Sequence, residues 1–110
     1  MKVLKYLSSL FLCLLIFASC TEKTVSLKVL QINTWYQCEK VPNGLEGLVS
    51  TVQQTDPDVI FLCEWNTKDS FVELKKALKA KGMEYEGEHL DMAVAILSKY
   101  KIEDMHLQYR

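Results

Sequence analysis

"PDVIFLCEWN", residues 57–66, is a run of apolar strand-forming residues that stops at Glu64, with Trp65 and the turn-former Asn66 behind it. Val59, Phe61 and Cys63 alternate with Ile60 and Leu62, so both faces are apolar, which predicts a central strand covered above and below. A carboxylate at the mouth of such a strand must be solvated, paired or bound to a cation, because an isolated buried charge is strongly unfavourable.

Upstream, "SLKVLQIN" (residues 26–33) reads as a mostly buried strand ending at Asn33. The irregular stretch "TWYQCEKVP" follows, and Asn43 with Glu46 three positions on forms a capping box for a helix. Leu45, Leu48, Val49 and Val52 fall at i, i+3, i+4 and i+7 and give that helix an apolar stripe, until "TDPD" (residues 55–58) breaks it. Strand, helix and strand make a βαβ unit, predicting parallel strands with a right-handed crossover and with Asn33 and Glu64 at the same sheet edge.

Downstream, Asn66 or Thr67 caps a second helix through Lys81, with Phe71, Leu74 and Leu78 inward and Gly82 as its stop. Lys75, Lys76 and Lys79 read as its solvated face. "MEYEG" (residues 83–87) and "LDMAVAILS" (residues 90–98) read as strands joined by a short turn. In the second, Ala93 and Ala95 share one face and Met92, Val94 and Ile96 the other. "KIEDMHLQYR" (residues 101–110) alternates like a half-exposed strand. His89, in the turn, and His106, on that last strand, read as solvated rather than catalytic.

With 49% hydrophobic and 25% charged residues among 110, the chain fits one globular α/β domain and not a disordered one. Residues 1–20, "MKVLKYLSSLFLCLLIFASC", have the order of a signal peptide: basic Lys2 and Lys5, an apolar stretch from Leu10 to Phe17, then small Ala18 and Ser19. The apolar stretch is short beside the roughly 20 residues of a spanning helix. Residues 21–25 are a tether and residues 26–110 the domain.

Cys20 behind small residues resembles the lipobox of bacterial lipoproteins, although Phe17 stands where that pattern has Leu. The resemblance implies lipidation of Cys20 and membrane anchorage in the bacterial envelope; plain secretion is the rival. Losing residues 1–19 removes Lys2 and Lys5 and no acid, shifting the formal charge from −1 to −3. No isolated basic cluster marks a nucleic-acid surface. With Cys13 in the leader, Cys38 and Cys63 remain, either as a pair or as a loop thiol and a buried strand thiol. No Cys or His spacing suggests zinc.

In open α/β sheets ligands collect at the carboxyl ends of the strands. Glu64 offers a hard anionic oxygen suited to Mg²⁺, and Asn33 a carboxamide able to orient a phosphate, a metal-bound water or Glu64 itself. Both residues are therefore candidate catalytic and metal-site residues, with Mg²⁺ or Mn²⁺ as cofactor. The plain structural alternative is a salt bridge from Glu64 to a lysine and a loop cap by Asn33. Trp35, Tyr36 and Trp65 flank the site, as stacking partners for a base or sugar or as lids over the core.

"LKVLQINTW" (27–35), "DPDVIFLCEWN" (56–66) and "AVAILSKYKI" (93–102), in that order, resemble the N-terminal third to half of the endonuclease/exonuclease/phosphatase superfamily. The resemblance covers residues 27 to about 103 and implies a two-sheet α/β sandwich flanked by helices. It assigns Glu64 as the metal-binding glutamate and Asn33 as the asparagine beside the metal and the scissile phosphate, and it implies a phosphate-ester substrate. Cys63 stands where the family often has Gln, and Asp91-Met92 where Gly is common. The family's Asp-x-Asn and adjacent Asp-His pairs do not occur in these 110 residues. The chain is thus expected to be the N-terminal portion of an exported phosphoric-ester hydrolase, with an inactive lipid-anchored envelope protein on the same scaffold as the alternative.

Overall fold

A computed structural model describes residues 2–18 and 22–105, with backbone alone for residues 2 and 13–18. The elements are α1 (Lys2–Ala18), β1 (Val29–Asn33), α2 (Gly44–Thr55), β2 (Val59–Cys63), α3 (Lys68–Ala80), β3 (Glu86–Leu90) and β4 (Val94–Ser98). The strands form one mixed sheet in the order β1-β2-β4-β3, so the chain is an α/β protein. No described helix is long and apolar enough to cross a membrane. Cys20 and His106 lie outside the described residues.

β1 and β2 are parallel, in register from Val29 opposite Val59 to Asn33 opposite Cys63, so their carboxyl ends finish side by side. β4 runs antiparallel to both β2 and β3. β2 is therefore central, but among the described residues it is covered on one side only. Ile60 and Leu62 are fully buried with Ala95, Leu97 and the apolar stripes of α2 (Leu48, Val49, Val52) and α3 (Phe71, Leu74, Leu78). Val59, Phe61 and Cys63 alternate onto the other face, where Phe61 is 38% exposed. One sheet with one helical layer stands here, and the expected second cover of β2 is not among the described residues.

Local chemistry explains where the elements stop. Thr67 is the N-cap of α3 and accepts from the Ser70 N–H at 3.3 Å. At the other end the Gly82 N–H bonds the Lys79 carbonyl and the Met83 N–H bonds the Leu78 carbonyl, the paired pattern that a left-handed residue permits. Gly82 supplies it at φ 78°.

Besides the cover of β2, five expectations are corrected. β1 is not mostly buried: Val29, Gln31 and Asn33 are exposed and only Leu30 and Ile32 are half-buried, because β1 lies at the edge of the sheet. Asn43 precedes α2 in the left-handed region and makes no side-chain cap bond, because a cap needs extended backbone to fold its side chain over the first turn. The β3–β4 turn is Asp91–Met92–Ala93, with Met92 at φ 72° and Ala93 at φ 59°, so β4 starts at Val94 and Ala93 shares no strand face with Ala95. This later turn moves His89 from a turn onto β3. Residues 101–105 form no strand, and the rest of the expected strand, residues 106–110, lies outside the described residues.

Cys38 and Cys63 are both free thiols. Cys38 packs against the helix-covered core while Cys63 belongs to the opposite face of β2, which keeps them apart. Burial pushes the Cys38 thiol above its ordinary value.

Candidate functional site

The two strand ends meet. Asn33 Nδ2 donates to Glu64 Oε1 at 2.9 Å, and the Trp35 N–H donates to Asn33 Oδ1 at 2.9 Å. That backbone donor fixes which end of the carboxamide is oxygen, so the nitrogen is the end turned to Glu64. Asn33 thus orients Glu64, one of the three roles its type allows. Glu64 is exposed to solvent, which answers how a buried strand ends on a carboxylate: the charge is both hydrated and hydrogen-bonded. No lysine pairs with Glu64 among the described residues; the ion pairs there use other acids.

Glu64 adopts φ 59°, a left-handed conformation that costs a non-glycine residue roughly 1–2 kcal/mol. Its carbonyl accepts from the Gln37 N–H at 2.8 Å and from Thr34 Oγ1 at 3.3 Å. Thr34, itself buried, also carries the strand pairing one residue past β1 by donating its N–H to the Cys63 carbonyl at 3.0 Å.

The next four residues, Trp35, Tyr36, Gln37 and Cys38, all have φ between 44° and 69°. They make one left-handed turn, closed by the Cys38 N–H on the Thr34 carbonyl at 2.8 Å. Trp35 and Tyr36 project from it 62% and 50% exposed, and the Lys40 ammonium stands 5.6 Å from the Tyr36 ring centre. Trp65 does the reverse. Its indole is 1% exposed within the core, and its Nε1 has no hydrogen-bond partner among the described residues. It is therefore a core residue and not a stacking surface.

Two further residues converge here: Gln37, which sequence reasoning did not single out, and His89, which it read as solvated and which is instead half-buried and hydrogen-bonded. Gln37 is buried, accepts from the Asn66 N–H at 2.9 Å through Oε1 and donates to Glu39 Oε1 at 2.8 Å through Nε2. His89 Nε2 lies 2.7 Å from the Trp65 carbonyl. A carbonyl only accepts, so this nitrogen carries the proton. Nothing in the local sequence marks either contact, because the partners lie 29 and 24 residues away.

As a cation site the donor set is hard oxygen but sparse. With Oε1 of Glu64 held by Asn33, Oε2 is the oxygen open to a metal. Among the described residues no group of three or more His, Cys, Asp or Glu side chains could hold an ion. The described residues thus offer a cation one open carboxylate oxygen and no built cage. A cleft of about 290 Å³ borders Asn33 and Thr34, whereas the larger 520 Å³ groove between α2 and α3 lies among Leu45, Val49 and Ala77, residues of the helical layer.

The fold and this edge define an α/β protein with a carboxamide–carboxylate pair at the carboxyl ends of two parallel strands. No family model matches the chain, and the curated proteins and solved structures compared with it give no match either.

Proposed function

We propose that the chain is the N-terminal portion of an exported, Mg²⁺-dependent phosphoric-ester hydrolase, with Mn²⁺ able to replace Mg²⁺. Glu64 is the metal ligand and Asn33 the residue that orients its carboxylate. The observation that carries this reading is the 2.9 Å contact between Asn33 Nδ2 and Glu64 Oε1 at the shared strand edge. Bound there, the cation would supply charge neutralisation for a phosphate ester. Asn33 holds one carboxylate oxygen so that the other faces outward, and the exposed setting keeps Glu64 hydrated until a ligand arrives.

The open face of the sheet, with Phe61, Cys63, Val94 and Ile96, is where the second layer of a two-sheet sandwich would lie. On this reading residues 1–20 are a signal peptide, and Cys20 carries a lipid that anchors the protein to the bacterial envelope. The absence of an Asp-x-Asn or Asp-His pair from these residues favours weak cation binding over turnover by this chain. It also supports the second reading, a non-catalytic lipid-anchored protein on the same scaffold.

Mn²⁺ titration of the ¹⁵N-labelled chain tests the assignment. Paramagnetic broadening should centre on Asn33, Glu64 and Trp65 and disappear in Glu64→Gln. Broadening that persists in that variant, or that centres elsewhere, overturns Glu64 as the ligand.

A further inference from the structure

We propose that Gln37 and His89 are positioning residues that clamp the two peptide groups flanking Trp65 and thereby set the conformation of Glu64. Only the purpose of the clamp, aiming a cation ligand, rests on the reading given above.

Consider the peptide linking Glu64 to Trp65. Its carbonyl accepts from the Gln37 N–H at 2.8 Å, and its N–H donates to the Ala93 carbonyl at 2.9 Å. In the next peptide, the Trp65 carbonyl accepts from His89 Nε2 at 2.7 Å and the Asn66 N–H donates to Gln37 Oε1 at 2.9 Å. All four polar groups are engaged, two by Gln37 and two by the β3–β4 hairpin. Two successive peptide planes held from opposite sides leave Glu64 ψ and both Trp65 dihedrals little freedom.

A left-handed glutamate persists only where its surroundings over-determine it. Local sequence does not supply that here, since neither Glu nor Trp favours the conformation. Gln37 supplies it through one backbone and one side-chain contact because it sits within the left-handed turn, 8% exposed, with Nε2 tied off by Glu39. His89 is steadied in turn by the Phe71 ring, 6.1 Å away between centroids. Truncating either side chain frees one polar group of the Trp65–Asn66 peptide, the Asn66 N–H for Gln37 and the Trp65 carbonyl for His89, while the backbone bonds of the Glu64–Trp65 peptide remain; the loosened Trp65 then lets Glu64 relax toward right-handed backbone and swings its carboxylate away from Asn33.

The readout is the Asn33 side-chain amide, whose bonded proton is displaced by Glu64; Glu64→Gln marks the position with the charged acceptor gone. In Gln37→Met and in His89→Leu the Asn33 amide signals should move at least halfway to that mark, while His89→Gln, which keeps a donor, should restore them. In the wild-type chain the Asn66 N–H should exchange with solvent at least about a hundredfold more slowly than an unprotected amide. Asn33 signals unmoved in both truncations, or an unprotected Asn66 N–H, overturn the clamp. The exchange measurement decides even if a variant fails to fold.

Mn²⁺ added to the same samples separates the two readings. Affinity about 10- to 100-fold weaker in the truncations is the loss expected when partners that orient a ligand are removed. If Mn²⁺ leaves the wild-type signals untouched, the cation reading fails while the metal-free spectra still judge the clamp. If Mn²⁺ binds through Glu64 and both truncations bind it equally well with Asn33 unmoved, the clamp fails and the site stands.

Discussion

Replacing Phe61 and Leu62 by alanine, one at a time, measures which side of the sheet is packed. The two residues are neighbours on β2 with opposite alternation, and their exposures are 38% and 0%. Leu62→Ala removes methyl groups from a closed core and should destabilise the chain by about 2–5 kcal/mol. A fully buried Phe loses about 3–5 kcal/mol on truncation, but Phe61 is only partly covered and water fills the space it leaves. Transfer of the covered part alone amounts to about 1–2 kcal/mol. In a domain this small each kcal/mol moves Tm by roughly 4–8 °C. Urea denaturation of the chain, followed by circular dichroism at two protein concentrations, gives both values. A loss at Phe61 equal to or greater than that at Leu62 would refute the open face. If stability also rose with concentration, a second copy would be the cover.

Tyr85 donates its hydroxyl to the Pro57 carbonyl at 2.7 Å in a buried setting, tying the entry to β3 to the start of β2. Tyr85→Phe leaves that carbonyl without its donor and should destabilise by about 1–3 kcal/mol in urea melts; a change below about 0.5 kcal/mol would show that the bond contributes nothing. Lys99 bonds Asp56 at 2.7 Å and stands 3.6 Å from Asp58. The Lys99 hydrogen bond, then its charge, holds the Asp56 carboxyl below its ordinary 3.8, and the same bond holds Lys99 above 10.5. A lowered acid stabilises above its ordinary value and ceases to as pH falls through its folded one; a raised base stabilises below its ordinary value and ceases to as pH rises through its folded one. The stability difference between wild type and Lys99→Met should therefore be level across neutral pH and shrink at both extremes. A difference that persists in acid would remove the pair as its source.

The meeting of Asn33 and Glu64 was legible in the sequence because it follows from topology alone. An amphipathic helix between two apolar runs makes the strands parallel, and parallel strands end on the same side whatever their side chains are. The cover of β2 was not legible for a related reason. An apolar face on Val59, Phe61 and Cys63 records that something apolar suits it, and carries no mark of whether that partner lies within these residues.

Apart from Asn43 and Asp56 at the two ends of α2, the left-handed non-glycine residues collect at one place. Trp35, Tyr36, Gln37, Cys38, Glu64, Met92 and Ala93 all take positive φ, and all border the carboxyl ends of β1 and β2 or the hairpin beside them. None is glycine, so no sequence rule flags the turns. At roughly 1–2 kcal/mol each, the strain is comparable with the whole stability of a small domain, about 5–15 kcal/mol. It survives because tertiary bonds hold it: Thr34 and Gln37 on the Glu64 carbonyl, Ala93 on the Trp65 N–H, His89 on the Trp65 carbonyl. A loop whose only task was to join strands could relieve this with a glycine, as α3 does at Gly82. On the proposed reading, this conformational cost around a carboxylate and a carboxamide serves to shape the edge for a ligand, a task that a simple connection between strands would not have.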